Sequence, residues 1–490
     1  MSASCARLPT LLALSTLESL AVLSPNQLSS LQHIFPADRL HLDAATCERY
    51  GQDWTRYTTP QAAAIVFPVS IDEVQAVVRW ANVHGVGIVP SGGRTGLSGG
   101  AVATQGEIVV SMDRMNCMDG FDPLARTVRC QAGVVTAALQ QFAADHGLYY
   151  PVDFASSGSS QIGGNIATNA GGIRVVRYGM TREWVAGLTV VTGSGDVLEC
   201  NLGLTKNNTG YDFRHLFIGS EGTLGLVVAA TMRLTDPPPF TTVLLLALPG
   251  LADIMAVFHA FRSALTLQAF EFFSDLALTH VLAAEQSAAP LAERQPFYVL
   301  LELETVTPLQ DEAVLQVFAD CMAQGWVCDG VIAQSQQQAK ALWRLREGIS
   351  AAITPYTPYK NDISVVLSRL PEFVARLQGL LARDYPDFEV LWYGHIGDGN
   401  LHINVLKPAS WALADFRHAC EQVNEQVFAL VAEFAGSMSA EHGVGLLKRD
   451  YLGVTRSAAD IALMRGVKAV FDPNDIMNPG KLLQLDGSDT

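Results

Sequence analysis

Apolar residues recur at helical spacing after two serines, and this pattern predicts where two helices begin. Ser24 is followed by Pro25, which suits the first helical position, and then by leucines at helical spacing. Ser70 and Glu73 have the spacing of a capping box, so we expect a second helix from there to about His84. The opening part of the chain is therefore predicted to be helical.

Shorter apolar runs follow these helices and are typical of strands. In the first half of the chain they occupy residues 86–89 and 107–111. In the second half they occupy residues 243–248, 297–303 and 363–366, with long amphipathic helices between them. This mixture predicts the α+β fold class.

Breaks in the pattern divide the chain into four segments. A triple proline at residues 237–239 is a strong breaker and is our preferred domain boundary. At 490 residues, the chain is also too long for one hydrophobic core. We expect a helical lead-in (1–58), a glycine-rich domain (59–238), an α+β domain (239–438) and a C-terminal segment (439–490).

Composition narrows the class of protein. Hydrophobic residues make up 49% and charged residues 16%, which indicates a well-packed globular protein. The formal charge is −16 and there is no basic run, so we expect no nucleic-acid partner. The eight cysteines contain no C-x-x-C pair, which suits a reducing compartment. An apolar stretch at residues 8–23 is interrupted by Glu18, so we expect no transmembrane segment and a cytoplasmic location.

Three glycine-dense stretches, at residues 90–100, 158–179 and 219–225, are candidates for phosphate binding. Consecutive backbone N–H groups in such a stretch can form a concave anion site that glycine leaves open. The first stretch lies between two predicted strands and lacks G-x-G-x-x-G before a helix, so it is not a Rossmann fingerprint. One such loop could equally be a set of tight turns, but three in one domain favour a cofactor.

The order of these motifs resembles the FAD-binding domain of the vanillyl-alcohol oxidase superfamily. The matching stretches are P-S-G-G-R-T-G-L-S-G-G, P-V-D-x₅-S-S-Q-I-G-G-N-I-A-T-N-A-G-G and G-S-E-G-T-L-G. The C-terminal half is similar to the FAD-linked oxidase branch, which contains dehydrogenases of D-2-hydroxy acids. The resemblance implies a two-subdomain FAD-binding domain, an α+β substrate (cap) domain and a C-terminal helical segment. Because the first loop contains no histidine, the FAD is expected to be non-covalent.

The resemblance also implies which residues contact FAD, in the three glycine stretches and near them. They are Pro90, Ser91, Gly92, Gly93, Arg94, Thr95, Gly96, Ser98, Gly99, Pro151, Gly158, Ser159, Gly163, Gly164, Asn165, Thr168, Asn169, Gly171, Gly172, Tyr178, Gly179, Glu221, Gly222 and Asn478.

A histidine pair flanks a predicted hairpin turn at Asp398-Gly399. With a two-residue turn there, His395 would lie opposite His402, and Asn404 would point to the same side. Two imidazoles at that distance could chelate a metal, with Glu441 as a third ligand, but they could equally be ordinary packed histidines. The resemblance favours the metal site: G-H-x-G-D-G-N-L-H and A-E-H-G match the metal motifs of the family. It implies that His395, His402 and Glu441 bind a divalent metal, with zinc as the expected ion.

The resemblance assigns substrate binding to Arg346, Ser350, Lys360, Asn404 and His442. Histidine can act as a base near neutral pH, so we expect His442 to take the hydroxyl proton while hydride passes to flavin N5. Two cations at one site of an acidic protein imply an anion to meet them, beyond the carboxylate at the metal. This favours D-2-hydroxyglutarate or a similar dicarboxylate. The segment between Ser350 and Lys360 is one residue shorter than the family pattern, which leaves the preferred substrate length open.

Two other activities remain possible at this stage. One is a D-lactate or glycolate dehydrogenase of the same branch, and the other is a metal-dependent hydrolase whose glycine loops bind a substrate phosphate. For the dehydrogenase, the expected electron acceptor is an electron-transfer flavoprotein or a quinone-linked carrier. A homodimer is also possible.

Overall fold

The computed structural model describes residues 23–56 and 58–484, and most of the apolar stretch at residues 8–23 lies outside these ranges. The described residues form three β-sheets with helices between and around them. Across these two ranges, every helix is too short or too polar to cross a lipid bilayer.

Two small sheets make up the glycine-rich part of the chain. The first is four-stranded and mostly parallel, with the spatial order Leu40–His41, Ala64–Val66, Ile108–Ser111 and Ile88–Ser91. The second is five-stranded and antiparallel, with the spatial order Met118–Asp122, Thr127–Gln131, Gly225–Arg233, Val185–Thr192 and Val197–Cys200. The helices of this part are Pro25–Ile34, Ala44–Tyr50, Ile71–His84, Thr136–Asp145, Ile162–Thr168, Val175–Tyr178, Thr181–Trp184 and Arg214–Phe217.

The two predicted helix starts are confirmed. Ser24 accepts a hydrogen bond from the Gln27 backbone N–H, and its helix begins at Pro25. Ser70 likewise accepts from the Glu73 N–H, and that helix ends at His84. The second capping box is incomplete, because the Glu73 carboxylate accepts from the backbone N–H of Val69 rather than that of Ser70.

A seven-stranded antiparallel sheet forms the second half of the chain. Its spatial order is Asp329–Ile332, Thr241–Leu248, Phe297–Glu304, Leu267–Ser274, Val390–Gly394, Asn400–Val405 and Tyr359–Ser364. The last strand corrects the predicted strand at residues 363–366, which begins four residues earlier and ends at Ser364. The prediction followed apolar residues, whereas four of the six residues of the actual strand are polar, namely Lys360, Asn361, Asp362 and Ser364.

Helices cover both faces of this sheet, because its strands alternate between two apolar clusters. One face packs against the helices Leu251–Ala264, Pro308–Ala323, Leu370–Asp384 and Leu413–Glu433. The other packs against Asp275–Glu285, Gln336–Glu347 and Ile349–Ile353. Along strand Asn400–Val405, Leu401 and Ile403 belong to the first cluster, so His402 and Asn404 point to the second face. That face carries the polar side chains of the candidate site.

The end of the chain returns to the first sheet. After the helices Leu452–Thr455 and Ala458–Phe471, Met477 forms a parallel bridge with Ile88. This contact holds the C-terminal segment beside the first glycine loop. The predicted fold class, a domain of two subdomains followed by an α+β domain and a helical C-terminal segment, is confirmed by this architecture.

Candidate active site

One cavity of about 590 Å³ joins the three glycine stretches to the polar face of the large sheet. It brings together all the predicted metal and substrate residues, namely Arg346, Ser350, Lys360, His395, His402, Asn404, Glu441 and His442. Of the predicted cofactor residues, it is lined by Pro90, Ser91, Gly92, Gly93, Arg94, Thr95, Gly96, Ser98, Ser159, Gly163, Gly164, Asn165, Thr168, Gly171, Glu221 and Gly222. The chemistry of all these groups can therefore meet in one space.

The structure does not bring the other predicted cofactor residues into the lining of the cavity: Gly99, Pro151, Gly158, Asn169, Gly172, Tyr178, Gly179 and Asn478. Asn478, for example, is fully buried and donates to the carbonyl oxygens of Gly100 (2.8 Å) and Glu221 (2.7 Å). It thereby ties the first glycine loop to the third. The contact of these eight residues with the cofactor stays a prediction.

The glycine loops fit a large anionic ligand because they approach each other closely and leave polar atoms unpaired. A Cβ atom at Gly93 would lie 2.1 Å from the Ser159 carbonyl oxygen, so only glycine allows the first two loops to pack. The Ser91 hydroxyl and the Gln161 Oε1, both in the cavity wall, are buried without a hydrogen-bond partner. Buried polar groups are normally paired, so these atoms are suited to a bound cofactor.

Three imidazoles and one carboxylate converge at the other end of the cavity. Glu441 Oε1 lies 3.6 Å from the Nε2 atoms of both His395 and His402 and 3.8 Å from that of His442. Neutral imidazole nitrogens and a carboxylate oxygen are a donor set that a divalent metal such as zinc accepts. The geometry of the described residues therefore fits a metal centre.

The hairpin that carries two of these histidines differs from the predicted one. Residues Ile396–Asp398 form a 3₁₀ turn, so the loop is longer than two residues and Tyr393, not His395, lies opposite His402. The prediction of a two-residue turn is wrong. His395 nevertheless lies close to His402, and the centroids of their two imidazole rings are 5.3 Å apart.

A buried carboxylate lies behind each imidazole. His395 Nδ1 is 2.8 Å from Glu271, whereas the Nδ1 atoms of His402 and His442 lie 3.6 and 3.5 Å from Asp362. The hydrogen bond to Glu271 fixes the tautomer of His395 that leaves Nε2 free, whereas Asp362 acts on His402 and His442 through its charge. Possible ligand atoms of Asp362, His402, Glu441 and His442 all lie within 4.8 Å of one another, a group that does not include His395. The oxygens of Asp362 already accept other hydrogen bonds, and we therefore assign it to support.

Asp362 and Glu271 are the functional residues that sequence reasoning missed. Asp362 shares a strand face with Lys360, and in the register it lies directly opposite His402. Its signal was an acidic residue at the centre of a buried strand, where a charge needs partners. Glu271 stands in the apolar run of strand Leu267–Ser274 and carries the same signal.

The loop of residues 439–445 is held by two buried carboxylates from different parts of the chain. Asp362 accepts the backbone N–H groups of Glu441 and His442, both at 3.0 Å. Glu221, from the third glycine loop, accepts those of Val444 (2.7 Å) and Gly445 (2.8 Å). The Glu221 carboxylate is thus directed at this loop, and the position of Glu441 and His442 depends on both anchors.

Burial and charge perturb the histidines in opposite directions. Burial lowers the pKa of His402 to about 3 and also lowers that of His442, so both rings are neutral near pH 7. Burial also acts to lower the pKa of His395, but Glu271 and Glu441 outweigh it and raise that pKa well above its usual value. The pKa of Glu441 is lowered by His395 and His402 against the effect of burial, so it remains a carboxylate.

A group of cations and an amide lines the cavity next to this cluster. Lys360 Nζ lies 3.3 Å from Ser350 Oγ, and burial lowers its pKa. Asn404 is 1% exposed, and neither its Oδ1 nor its Nδ2 has a hydrogen-bond partner of good geometry. Arg346 Nε also lacks a partner. These orphaned donors and acceptors are suited to a polar ligand in the cavity.

The surroundings of Arg346 correct the expectation that the protein itself supplies no anion to the two cations of this site. Arg346 Nη2 forms an ion pair with Glu271 Oε2 at 2.9 Å, without the geometry of a hydrogen bond, and its guanidinium carbon lies 5.0 Å from the ring centroid of Tyr393. Glu271 is thus one anion that the sequence argument did not foresee. Lys360, whose nearest described partner is the Ser350 hydroxyl, keeps its charge available.

Comparison with known proteins agrees with a cofactor-binding domain followed by a second domain that completes the site. Residues 62–201 match the model of an FAD binding domain, and residues 237–482 match the C-terminal domain of FAD linked oxidases. A solved structure of p-cresol methylhydroxylase superposes with a TM-score of 0.75 at 15% identity, covering 94% of this chain and 97% of that one. At this identity the likeness concerns the fold alone.

Two curated relatives match nearly the whole chain. The D-2-hydroxyglutarate dehydrogenase of Xanthomonas citri pv. viticola is 59% identical over 461 residues, covering 94% of this chain and 98% of that protein. The enzyme of the same name from Stutzerimonas stutzeri is 57% identical over 458 residues, covering 94% and 99%.

Proposed function

This chain is an FAD-dependent dehydrogenase that belongs to the FAD-linked oxidase family, and on that basis we propose that it oxidises D-2-hydroxyglutarate, or a similar D-2-hydroxy dicarboxylate, to the 2-keto acid. The observation that carries the proposal is the single cavity in which the glycine loops, the histidine cluster and the two cations Arg346 and Lys360 meet. A hydrolase would have no use for the loops of an FAD-binding domain.

We propose that His395, His402 and Glu441 hold a divalent metal, with zinc as the best match to two imidazoles and one carboxylate. The glycine loops would hold FAD without a covalent bond, since the first loop contains no histidine. When bound, the two groups supply the reaction with a Lewis acid for the substrate hydroxyl and an acceptor for the C2 hydride.

The residues of the chain itself orient the substrate and move its proton. Arg346, Lys360 and Ser350 would hold the distal carboxylate, and the unpaired amide of Asn404 would bind the end nearer the cluster. His442, neutral because burial lowers its pKa, would accept the hydroxyl proton at Nε2. Asp362 behind its Nδ1 stabilises the charge that the ring then carries.

Three further sequence expectations stay predictions. They are a cytoplasmic location, a homodimer, and an electron-transfer flavoprotein or quinone-linked carrier as the electron acceptor.

A substrate panel with an artificial electron acceptor tests the proposal. We expect a yellow protein that turns over D-2-hydroxyglutarate with a much higher kcat/KM than D-lactate or glycolate. Arg346→Ala should lower kcat/KM for the dicarboxylate by roughly 30-fold or more, since losing a buried charge-assisted pair costs about 2–5 kcal/mol. Arg344→Ala is the matched control, because Arg344 is an exposed arginine on the same helix. Equal turnover of D-lactate, with Arg346→Ala harming both substrates alike, would refute the dicarboxylate assignment.

A further inference from the structure

The buried side chain of Glu271 contacts both His395 of the proposed metal site and Arg346, which we propose binds the distal carboxylate of the substrate. Glu271 is 1% exposed and lies on strand Leu267–Ser274. Its Oε1 is 2.8 Å from Nδ1 of His395, and its Oε2 is 2.9 Å from Nη2 of Arg346. The two oxygens of one carboxylate therefore serve two groups with different proposed tasks.

The fold places Glu271 between His395 and Arg346. Strand Leu267–Ser274 pairs with the histidine hairpin at Phe272 and Gly394, so the next residue pair, just past the ladder, brings Glu271 beside His395. Arg346 arrives from the last turn of helix Gln336–Glu347, which packs on the same face of the sheet. The Arg346 guanidinium carbon also lies 5.0 Å from the centroid of the Tyr393 ring, which packs against it.

We propose that Glu271 is a positioning residue that couples metal binding to recognition of the distal substrate carboxylate, an inference that rests on the function proposed above. Accepting the Nδ1 proton of His395 fixes the tautomer that presents Nε2 to the metal. The ion pair at Nη2 holds the Arg346 guanidinium at the cavity wall and leaves its unpaired Nε for a ligand. A change at Glu271 therefore reaches both ends of the substrate.

Glu271→Gln removes the charge at nearly constant volume and tests both halves of this inference. In the resting flavoprotein, competition between the enzyme and a fluorescent chelator for Zn²⁺ should show about a 10- to 100-fold loss of affinity. With Zn²⁺ restored to saturation, KM for D-2-hydroxyglutarate should rise several-fold more than KM for D-lactate, because only the dicarboxylate uses Arg346 at its distal end. Glu271→Asp keeps the charge but withdraws it by one methylene, and should shift both quantities in the same direction.

Glu302→Gln is the matched control. Glu302 is a buried carboxylate on the adjacent strand, paired with Arg174 at 3.2 Å, and it does not line the cavity. Its replacement should leave Zn²⁺ affinity and both KM values near wild type. The Zn²⁺ measurement involves no substrate, so it tests the metal half of the inference even if the enzyme does not favour dicarboxylates. Zn²⁺ affinity within twofold of wild type in Glu271→Gln, or an equal rise of both KM values, would overturn it.

Discussion

Replacing Asp362 with asparagine would test whether one buried carboxylate organises the histidine cluster. Asp362 is 0% exposed and accepts hydrogen bonds from the side chain of Asn400 and from the backbone N–H groups of Glu441 and His442. A hydrogen bond to a charged acceptor contributes about 1 kcal/mol more than one to a neutral acceptor. Because three such bonds lose their charge, we expect the unfolding free energy to fall by about 3 kcal/mol.

The functional consequences are separate from this loss of stability. Asp362 lies behind Nδ1 of both His402 and His442, so Asp362→Asn should weaken Zn²⁺ binding by about 10- to 100-fold. Asp362 also acts to raise the pKa of His442, and removing its charge should lower that pKa further. The acid limb of the kcat/KM profile should therefore move to lower pH, with a smaller maximum because the base is weaker.

Asp472→Asn provides a control of the same structural type. Asp472 is buried, accepts the consecutive backbone N–H groups of Ile476 and Met477, and pairs with Lys468, but it does not line the cavity. It should cost a similar amount of stability, as measured by denaturant unfolding, without changing Zn²⁺ affinity or the pH profile. If Asp362→Asn behaves in the same way as Asp472→Asn, the proposed role of Asp362 in the cluster is wrong.

The remaining predictions concern the cofactor, the metal and the glycine loops. Acid or heat should release FAD from the purified protein, and flavin that stays on the polypeptide in a denaturing gel would contradict non-covalent binding. A chelator should abolish turnover while the flavin spectrum stays largely intact, and His402→Ala should do the same; full activity after verified metal removal would contradict a metal role. The pKa of His395 is raised, so a metal that binds this residue must displace a proton. Metal uptake should therefore release protons, and the apparent metal affinity should fall as pH falls below that pKa. Calorimetry in buffers of different ionisation enthalpy measures this proton release. Glu221→Gln removes the charge that holds the backbone of Val444 and Gly445, so kcat should fall by about tenfold or more with FAD still bound; an unchanged kcat would count against the anchor.

Local signals in the sequence were enough to predict the helix starts. The Ser24 and Ser70 caps depend on neighbours within four residues, so they could be predicted without knowledge of the fold. The glycine stretches and the histidine motifs identified residues that meet in one cavity, while the roles of these residues came from the family resemblance and stay predictions. The geometry of the histidine hairpin could not be predicted in the same way, because the 3₁₀ turn at Ile396–Asp398 makes the loop longer than a two-residue turn.

The supporting carboxylates could not be predicted, because their roles arise from contacts distant in sequence. Glu271 reaches His395 across 124 positions of sequence, and Glu221 reaches Gly445 across 224. Which strands are neighbours decides such contacts, and no local pattern specifies that order. A buried acidic residue in an apolar strand shows that a partner must exist, but it does not say which one.

The loop that carries Glu441 and His442 also has a consequence for how the enzyme matures on the ribosome. The residues that line the FAD end of the cavity all precede Pro237, whereas Glu441 is made some two hundred residues later. Both anchors of the loop, Glu221 and Asp362, precede it in the chain. Met477, which pairs with Ile88, and Asn478, which joins the first glycine loop to the third, are made later still. We therefore expect neither the flavin site nor the metal site to be complete until synthesis of the chain has reached its last residues.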